Sequence, residues 1–276
     1  MKSIIYPTVN VHIDMDKHRA FVELNRPEKR NAMSPQLHED MTLAFKEINS
    51  IQDIRVLVIT GKGSSFCAGM DLEKFVVQQF DNPDIFMAAG EKAFKWFREL
   101  RQFRGVTIAA VNGWCVGGGM LVAGLCDIAV TANEAKFGLS EINFAVIPGA
   151  GLTWVTAKNL GRRDALFYLI TGRLFDGIKA ADMGFVNYAV PLDQLEAEVD
   201  NLSAEIASKN LHALLAIKQT YNGTVDLNLD NAIDYEMAKF FELSYLSREE
   251  WLRVALHQFT QKKFKPGLEN YTPATN

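Results

Sequence analysis

The sequence predicts an α/β fold closed by a helical C-terminal module, and two observations predict it. Short runs rich in Val, Ile and Thr alternate with helical stretches through about residue 190. After Pro191 the β signal stops, while apolar stripes of helical period continue. A chain of 276 residues can bury a large core, and 48% hydrophobic with 22% charged residues is the balance of a globular protein.

The β-like runs are Ala20–Leu24, Val56–Thr60, Thr107–Val111, Ile128–Thr131 and Val186–Val190. Between the first two lies a helix that Ser34 caps and Pro35 opens. Its apolar stripe is Leu37, Met41, Ala44, Phe45 and Ile48. Beyond Pro191 the stretches Leu195–Ile206, Ala213–Tyr221 and Ala232–Leu243 read as consecutive helices. This divides the chain into a core over 1–195 and a helical module over 196–276, with no low-complexity linker and no sequence repeat.

Charge and cysteine usage narrow the function classes. A net charge of -4 gives no general attraction to nucleic acid or an anionic membrane surface. Cys67, Cys115 and Cys126 sit in apolar runs without CxxC spacing, which predicts buried free thiols in a reducing compartment. The first twenty residues carry Asp14 and Asp16 and no unbroken apolar stretch, so they read as neither signal peptide nor membrane span, and a cytoplasmic protein is expected. The five histidines show no ligand spacing, so no metal is expected.

Three segments have the composition of a site. The first is the strand Val56–Gly61 running into a loop of small residues that ends Phe66-Cys67-Ala68-Gly69-Met70-Asp71-Leu72, where backbone can approach a ligand closely. A dinucleotide fingerprint is rejected there, because Phe66 occupies the third glycine position and no helix is expected directly after it. The second is Val111-Asn112-Gly113-Trp114-Cys115-Val116-Gly117-Gly118-Gly119, ahead of a helix-compatible run. Its amides suit a developing oxyanion at a helix N-terminus, although a tight turn under a packed helix reads equally well. The third is Phe137-Gly138-Leu139-Ser140-Glu141-Ile142-Asn143, followed by apolar Phe144 to Ile147. A carboxylate in apolar surroundings has a raised pKa and suits proton transfer, whereas a surface or capping glutamate is the plainer reading of this segment alone.

In this order and spacing, the glycine loop with FCAGMDL, then NGWCVGGG, then FGLSEINFAVIPGAG resemble the crotonase superfamily of enoyl-CoA hydratases and isomerases. The resemblance runs from LNRPEKRNAMSP at Leu24–Pro35 to KPGL at Lys265–Leu268. It implies repeated ββα turns forming two nearly perpendicular sheets, followed by a helical trimerisation module. It also implies a homotrimer, paired into a hexamer, and an acyl-CoA thioester as substrate. Coenzyme A is then part of the substrate, and no metal or redox cofactor is expected.

Carried over residue by residue, the resemblance makes the backbone N–H groups of Met70 and Gly118 an oxyanion hole for the thioester enolate. Family hydratases use two glutamates, and here the first position is Leu121 and the second Glu141. One carboxylate cannot hold a water from two sides, but it can act as base and acid in sequence. A lone second glutamate matches two branches, the enoyl-CoA isomerases and the hydroxycinnamoyl-CoA hydratase-lyases, which cleave hydrated feruloyl-CoA to vanillin and acetyl-CoA. The segments LNRPEKRNAMSP, AGMDL, VNGWC, FGLSEIN and KPGL are more similar to the second, which ranks first.

For the acyl pocket the resemblance names Phe75, Trp114, Leu121 and Met237. In the hydratase-lyases two tyrosines grip the phenolic hydroxyl, and Phe75 and Met237 stand at those positions without a hydrogen-bonding group. A less polar tail fits them, or they are core and another group such as Tyr245 grips the phenol. Tyr235 points roughly 200° away from Met237 on a helix and does not replace it. For coenzyme A the resemblance points to the Arg26–Ala32 segment with Lys29, Arg30 and Ala32, to Ala68 and Leu72, and to Phe264 and Lys265 reaching a neighbouring subunit's nucleotide. Retention of Glu141 with both glycine loops argues against an idle acyl-CoA-binding member, and the acidic balance against an RNA-associated one.

Overall fold

The computed structural model describes residues 1–77, 82–267 and 270–272. Each expected strand forms in one mainly parallel sheet. Its members are β1 (Lys2–Ile5), β2 (Val9–Asp14), β3 (Arg19–Leu24), β4 (Val56–Gly61), β6 (Val106–Val111), β8 (Ile128–Ala132) and β11 (Tyr188–Val190). Among the described residues they lie in the order β1-β2-β3-β4-β6-β8-β11. The first two pairings are antiparallel and the rest parallel.

A second sheet is built from three-residue strands, β5 (Ser65–Cys67), β7 (Trp114–Val116), β9 (Lys136–Gly138) and β10 (Leu174–Asp176), in the order β10-β9-β7-β5. A long strand of the first sheet is followed directly by a short strand of the second, and a helix then returns the chain. This produces the expected ββα turns. The helices are α1 (Pro35–Asn49), α2 (Pro83–Arg101), α3 (Gly118–Leu125), α4 (Leu152–Asn159), α5 (Arg162–Thr171), α6 (Gly177–Asp182), α7 (Leu192–Ala207), α8 (Leu211–Thr224), α9 (Leu229–Leu246) and α10 (Leu256–Thr260). No described helix is long and apolar enough to cross a membrane.

Local chemistry accounts for the boundaries. The Ser34 hydroxyl accepts the Leu37 N–H at 3.3 Å, with Pro35 at the start of α1. The strand expected from Val186 begins at Tyr188, because the Phe185 and Val186 amides still bond the Ala180 carbonyl at the end of α6. A wide helical turn, Leu72–Val77, follows the FCAGMDL loop where the sequence suggests no helix. Cys67 and Cys115 are buried free thiols, whereas Cys126 is half-buried.

The chain divides into two compact units, Met1–Ile206 and Ala207–Asn276. The expected boundary at 195/196 falls inside α7, which the first unit holds through a buried arginine. Arg19 Nη1 donates to the Asp200 carbonyl at 2.9 Å and to the Ser203 hydroxyl at 2.6 Å. The second unit pairs α8 with α9, and the ring of Tyr235 lies against Gly223. Its large side chains Leu229, Phe241 and Tyr245 are exposed.

Between α1 and α2 lies an aromatic cluster. Trp96 Nε1 donates to His38 Nδ1 at 2.9 Å, and the Phe75 ring meets His38 edge-on at 5.6 Å. Burial pulls the His38 imidazole down to about 4, so it is neutral and accepts the indole proton.

Candidate active site

The loop after β5 is fastened to residues 30–33 by backbone bonds. The Ala68 N–H donates to the Arg30 carbonyl at 2.9 Å, Met33 N–H to the Gly69 carbonyl at 2.7 Å, and Asp71 N–H to the Met33 carbonyl at 3.0 Å. Met70 lies between the tied groups, and its own N–H has no acceptor among the described residues. Gly69 has φ +89°, and a Cβ on it would stand 2.9 Å from the Val116 carbonyl oxygen, so only glycine makes this approach.

On the facing side, Gly118 opens α3. A residue in the first helical turn has no intrahelical acceptor for its N–H, and none is found elsewhere among the described residues. A Cβ on Gly118 would lie 3.5 Å from Gly69 Cα and 3.7 Å from the Gly69 carbonyl carbon, to which the Met70 nitrogen is bonded. The two free amides therefore border one small space, one of them at the positive end of a helix. Gly117 makes the turn with φ +52° and ψ −121°, a conformation that penalises any side chain.

Glu141 closes the third side. It sits on the 3-10 turn Ser140–Phe144, with Ala145 left-handed at φ 57°. Its Oε1 lies 2.8 Å from where a Cβ on Gly117 would be, one residue from the Gly118 amide. Its Oε2 is buried without a hydrogen-bond partner among the described residues. Burial pushes the carboxyl above the ordinary carboxylate range, against a smaller opposing bond from its own backbone. The apolar run after Glu141 does not supply that burial, since Phe144 and Val146 are exposed and Ile147 is 84% exposed.

The expected coenzyme A residues of the first unit gather around the same loop. Lys29 pairs with Glu73 at 3.5 Å, and the Arg30 guanidinium stands 5.0 Å above the Trp114 ring. The Ala32 carbonyl accepts from Arg26, Ala68 is half-buried, and Leu72 is exposed. Trp114, expected in the acyl pocket, therefore touches the Arg30 side. Phe75 and Leu121 are each 2% exposed, Phe75 in the aromatic cluster and Leu121 within buried α3. Met237, Phe264 and Lys265 belong to the second unit, where Met237 is exposed and the Phe264 ring packs on Phe259 at 6.2 Å. Leu268, the end of the KPGL segment, lies outside the described residues.

Two residues gain importance only in the fold. Arg26 is buried with Asp71. Asn31, fully buried at φ 57°, accepts the Arg26 N–H and donates to the Lys62 and Ser65 carbonyls. In sequence both fall within the Arg26–Ala32 segment that the resemblance assigns to coenzyme A, and nothing in their spacing marks them as buried.

The profile of the family described as enoyl-CoA hydratase/isomerase matches residues 17–266. The chain belongs to this family. It is 39% identical to the hydroxycinnamoyl-CoA hydratase-lyase of Pseudomonas fluorescens, over 95% of this chain and 96% of the relative. It is 32% identical to a probable enoyl-CoA hydratase of Mycobacterium tuberculosis, over 83% of this chain and 87% of the relative. Among solved structures, an enoyl-CoA hydratase from Bacillus anthracis superposes with a TM-score of 0.84 at 28% identity, over 92% of this chain and 96% of that one. As a member of the family, the chain is a hydratase-like enzyme with the crotonase fold, and an acyl-CoA thioester fits it as substrate.

Proposed function

We propose that this enzyme hydrates an aryl-bearing α,β-unsaturated acyl-CoA and cleaves the adduct by a retro-aldol step. The observation that carries the reading is the lone Glu141 carboxylate beside two free amides, with no second carboxylate at position 121. Similarity to a hydroxycinnamoyl-CoA hydratase-lyase over nearly the whole chain supports the aryl tail. The Met70 and Gly118 N–H groups take the thioester oxygen, where charge develops. In the hydration step, water oxygen bonds to Cβ, its proton passes to Glu141, and Glu141 returns a proton to Cα. For cleavage, Glu141 removes the β-hydroxyl proton and the Cα–Cβ pair becomes the enolate of acetyl-CoA. The aldehyde leaves, and Glu141 protonates Cα.

Phe75 and Met237 lack the hydroxyls that would grip a phenol, so the tail this reading favours is an aryl group without that polar end. A homotrimer paired into a hexamer, with 196–276 as its trimerisation module, belongs to the same reading, as do a cytoplasmic location and the absence of a metal or redox cofactor. The exposed Leu229, Phe241 and Tyr245 support the assembly. The test is a mass-resolved assay with feruloyl-CoA, cinnamoyl-CoA, trans-2-enoyl-CoA and trans-3-enoyl-CoA. Benzaldehyde with acetyl-CoA from cinnamoyl-CoA is the expected result, and vanillin with acetyl-CoA from feruloyl-CoA would equally establish a lyase. Consumption of the 3-enoyl substrate alone, without gain of water, overturns the reading in favour of an isomerase.

A further inference from the structure

The direction of the Met70 N–H is set by its neighbours rather than by Met70 itself. In a trans peptide the carbonyl and the following N–H point in opposite directions. The Gly69 carbonyl is held by Met33 N–H at 2.7 Å, which turns the Met70 N–H away from Met33. The Asp71 N–H returns to the Met33 carbonyl at 3.0 Å, completing a parallel bridge between Met33 and Met70. This bridge lies outside both sheets, and the Ala68 N–H to Arg30 carbonyl bond is the neighbouring backbone contact that shares its register.

One guanidinium spans it. Arg26 Nη2 donates to Asp71 Oδ2 at 2.9 Å, and Arg26 Nη1 donates to the Ala32 carbonyl, so the same group holds the residue after Met70 and the residue before Met33. Both side chains of the ion pair are under a tenth exposed. Asp71 Oδ1 meanwhile accepts the Lys74 N–H at 3.1 Å, which starts the turn Leu72–Val77. Burial alone would raise the Asp71 carboxyl, but the Lys74 amide and the Arg26 hydrogen bond and charge hold it below the ordinary range. Arg26 is itself fixed, since its backbone N–H donates to Asn31 Oδ1 at 2.8 Å. A buried pair of this kind is weak evidence of net stability, which leaves its placement across the bridge to be explained.

We propose that Arg26 is a positioning residue for the oxyanion hole, acting through Asp71 and Ala32 to aim the Met70 N–H at the thioester oxygen. The inference rests on the reading of Met70 N–H as a donor to that oxygen. Arg26 itself touches no reacting atom. Removing the clamp leaves the Gly118 donor and Glu141 in place and lets the other amide swing, so the loss falls on the enolising step rather than on binding.

The test uses butyryl-CoA labelled with carbon-13 at the thioester carbonyl, a saturated ligand indifferent to whether the enzyme is a hydratase, lyase or isomerase. Two quantities are read, the infrared carbonyl frequency on binding and the rate of α-deuterium exchange in D2O at saturation. The full-length wild type should lower the carbonyl frequency and exchange deuterium. Arg26→Gln should lose most of the frequency shift and slow exchange about 10- to 100-fold, with half-saturation moving less than about threefold. Arg26→Lys should fall between, because an ammonium keeps the charge but cannot fork to both acceptors. If Arg26→Gln does not fold, Asp71→Asn, close in shape to the native side chain, carries the same expectation. A folded variant with the full shift and native exchange, or a loss confined to half-saturation, overturns the positioning role while leaving the oxyanion reading intact. A wild type with no carbonyl shift overturns both.

Discussion

Acid should unfold this protein partly through His38, and the size of the effect follows from its surroundings. His38 is buried between Trp96, Phe75 and Phe97 and accepts the indole N–H at 2.9 Å. A protonated ring would lose that bond and carry a buried charge, which is why its pKa falls from 6.5 to about 4. A group whose folded value is depressed gives stability that is full above its unfolded value and lost as pH falls through the folded one. The gap between 6.5 and about 4, at about 1.4 kcal/mol for each pH unit, comes to about 3 kcal/mol lost between pH 7 and pH 4. His38→Asn keeps an acceptor for Trp96 and removes the titration. Urea unfolding of both proteins at half-unit steps from pH 7 to 4 isolates the difference from the carboxylates they share. The variant should be less stable at pH 7 and should lose about 3 kcal/mol less on acidification. Parallel stability curves would refute the reasoning, because they would mean that the ring protonates in the folded protein at no cost.

Three other outcomes follow from the same geometry. Gly117→Ala puts a side chain at φ +52° and a methyl 2.8 Å from Glu141 Oε1, so stability should fall by about 1–3 kcal/mol and kcat by about 100-fold, as read by urea unfolding and turnover. Ser34→Ala removes the acceptor for Leu37 N–H at the start of α1, and chemical denaturation should show a loss of about 1 kcal/mol with kcat unchanged. Because burial raises the Glu141 carboxyl, the acid limb of a pH–rate profile should lie above the ordinary carboxylate range, and a limb at or below that range would contradict its burial.

Much of this fold is legible in the sequence because its signals are local and periodic. Strands β4 and β6 are buried along almost their whole length and read as near-continuous apolar runs, and α1 carries its cap, its proline and its stripe in fifteen residues. The three-residue strands of the second sheet are too short for any periodicity, and only their pairing across Cys67, Cys115 and Phe137 reveals them. Helix α2 carries signals of the same kind as α1, a cap at Asn82 and a buried stripe of Ala93, Trp96, Phe97 and Leu100 at helical spacing. For the site, the glycines announce close backbone approach, and resemblance to the crotonase superfamily supplies the roles. The partners of Glu141 and the burial of Arg26 depend on contacts between segments tens of residues apart, which no local pattern encodes. The reason given in sequence for a raised Glu141 pKa, its apolar neighbours, is replaced by a different one. Phe144 to Ile147 turn outward, and the carboxylate is enclosed on the side of Gly117.

The central claim is that Glu141 alone moves the proton at the α-carbon of a thioester held by backbone amides. Its most direct test is α-deuterium exchange of butyryl-CoA in D2O by the wild type and by Glu141→Gln, with ligand affinity measured alongside. The wild type should exchange, and the variant should lose about 100- to 10,000-fold at unchanged affinity. Exchange by Glu141→Gln at the wild-type rate would contradict the claim, and the base would have to be sought elsewhere around the Gly117 turn.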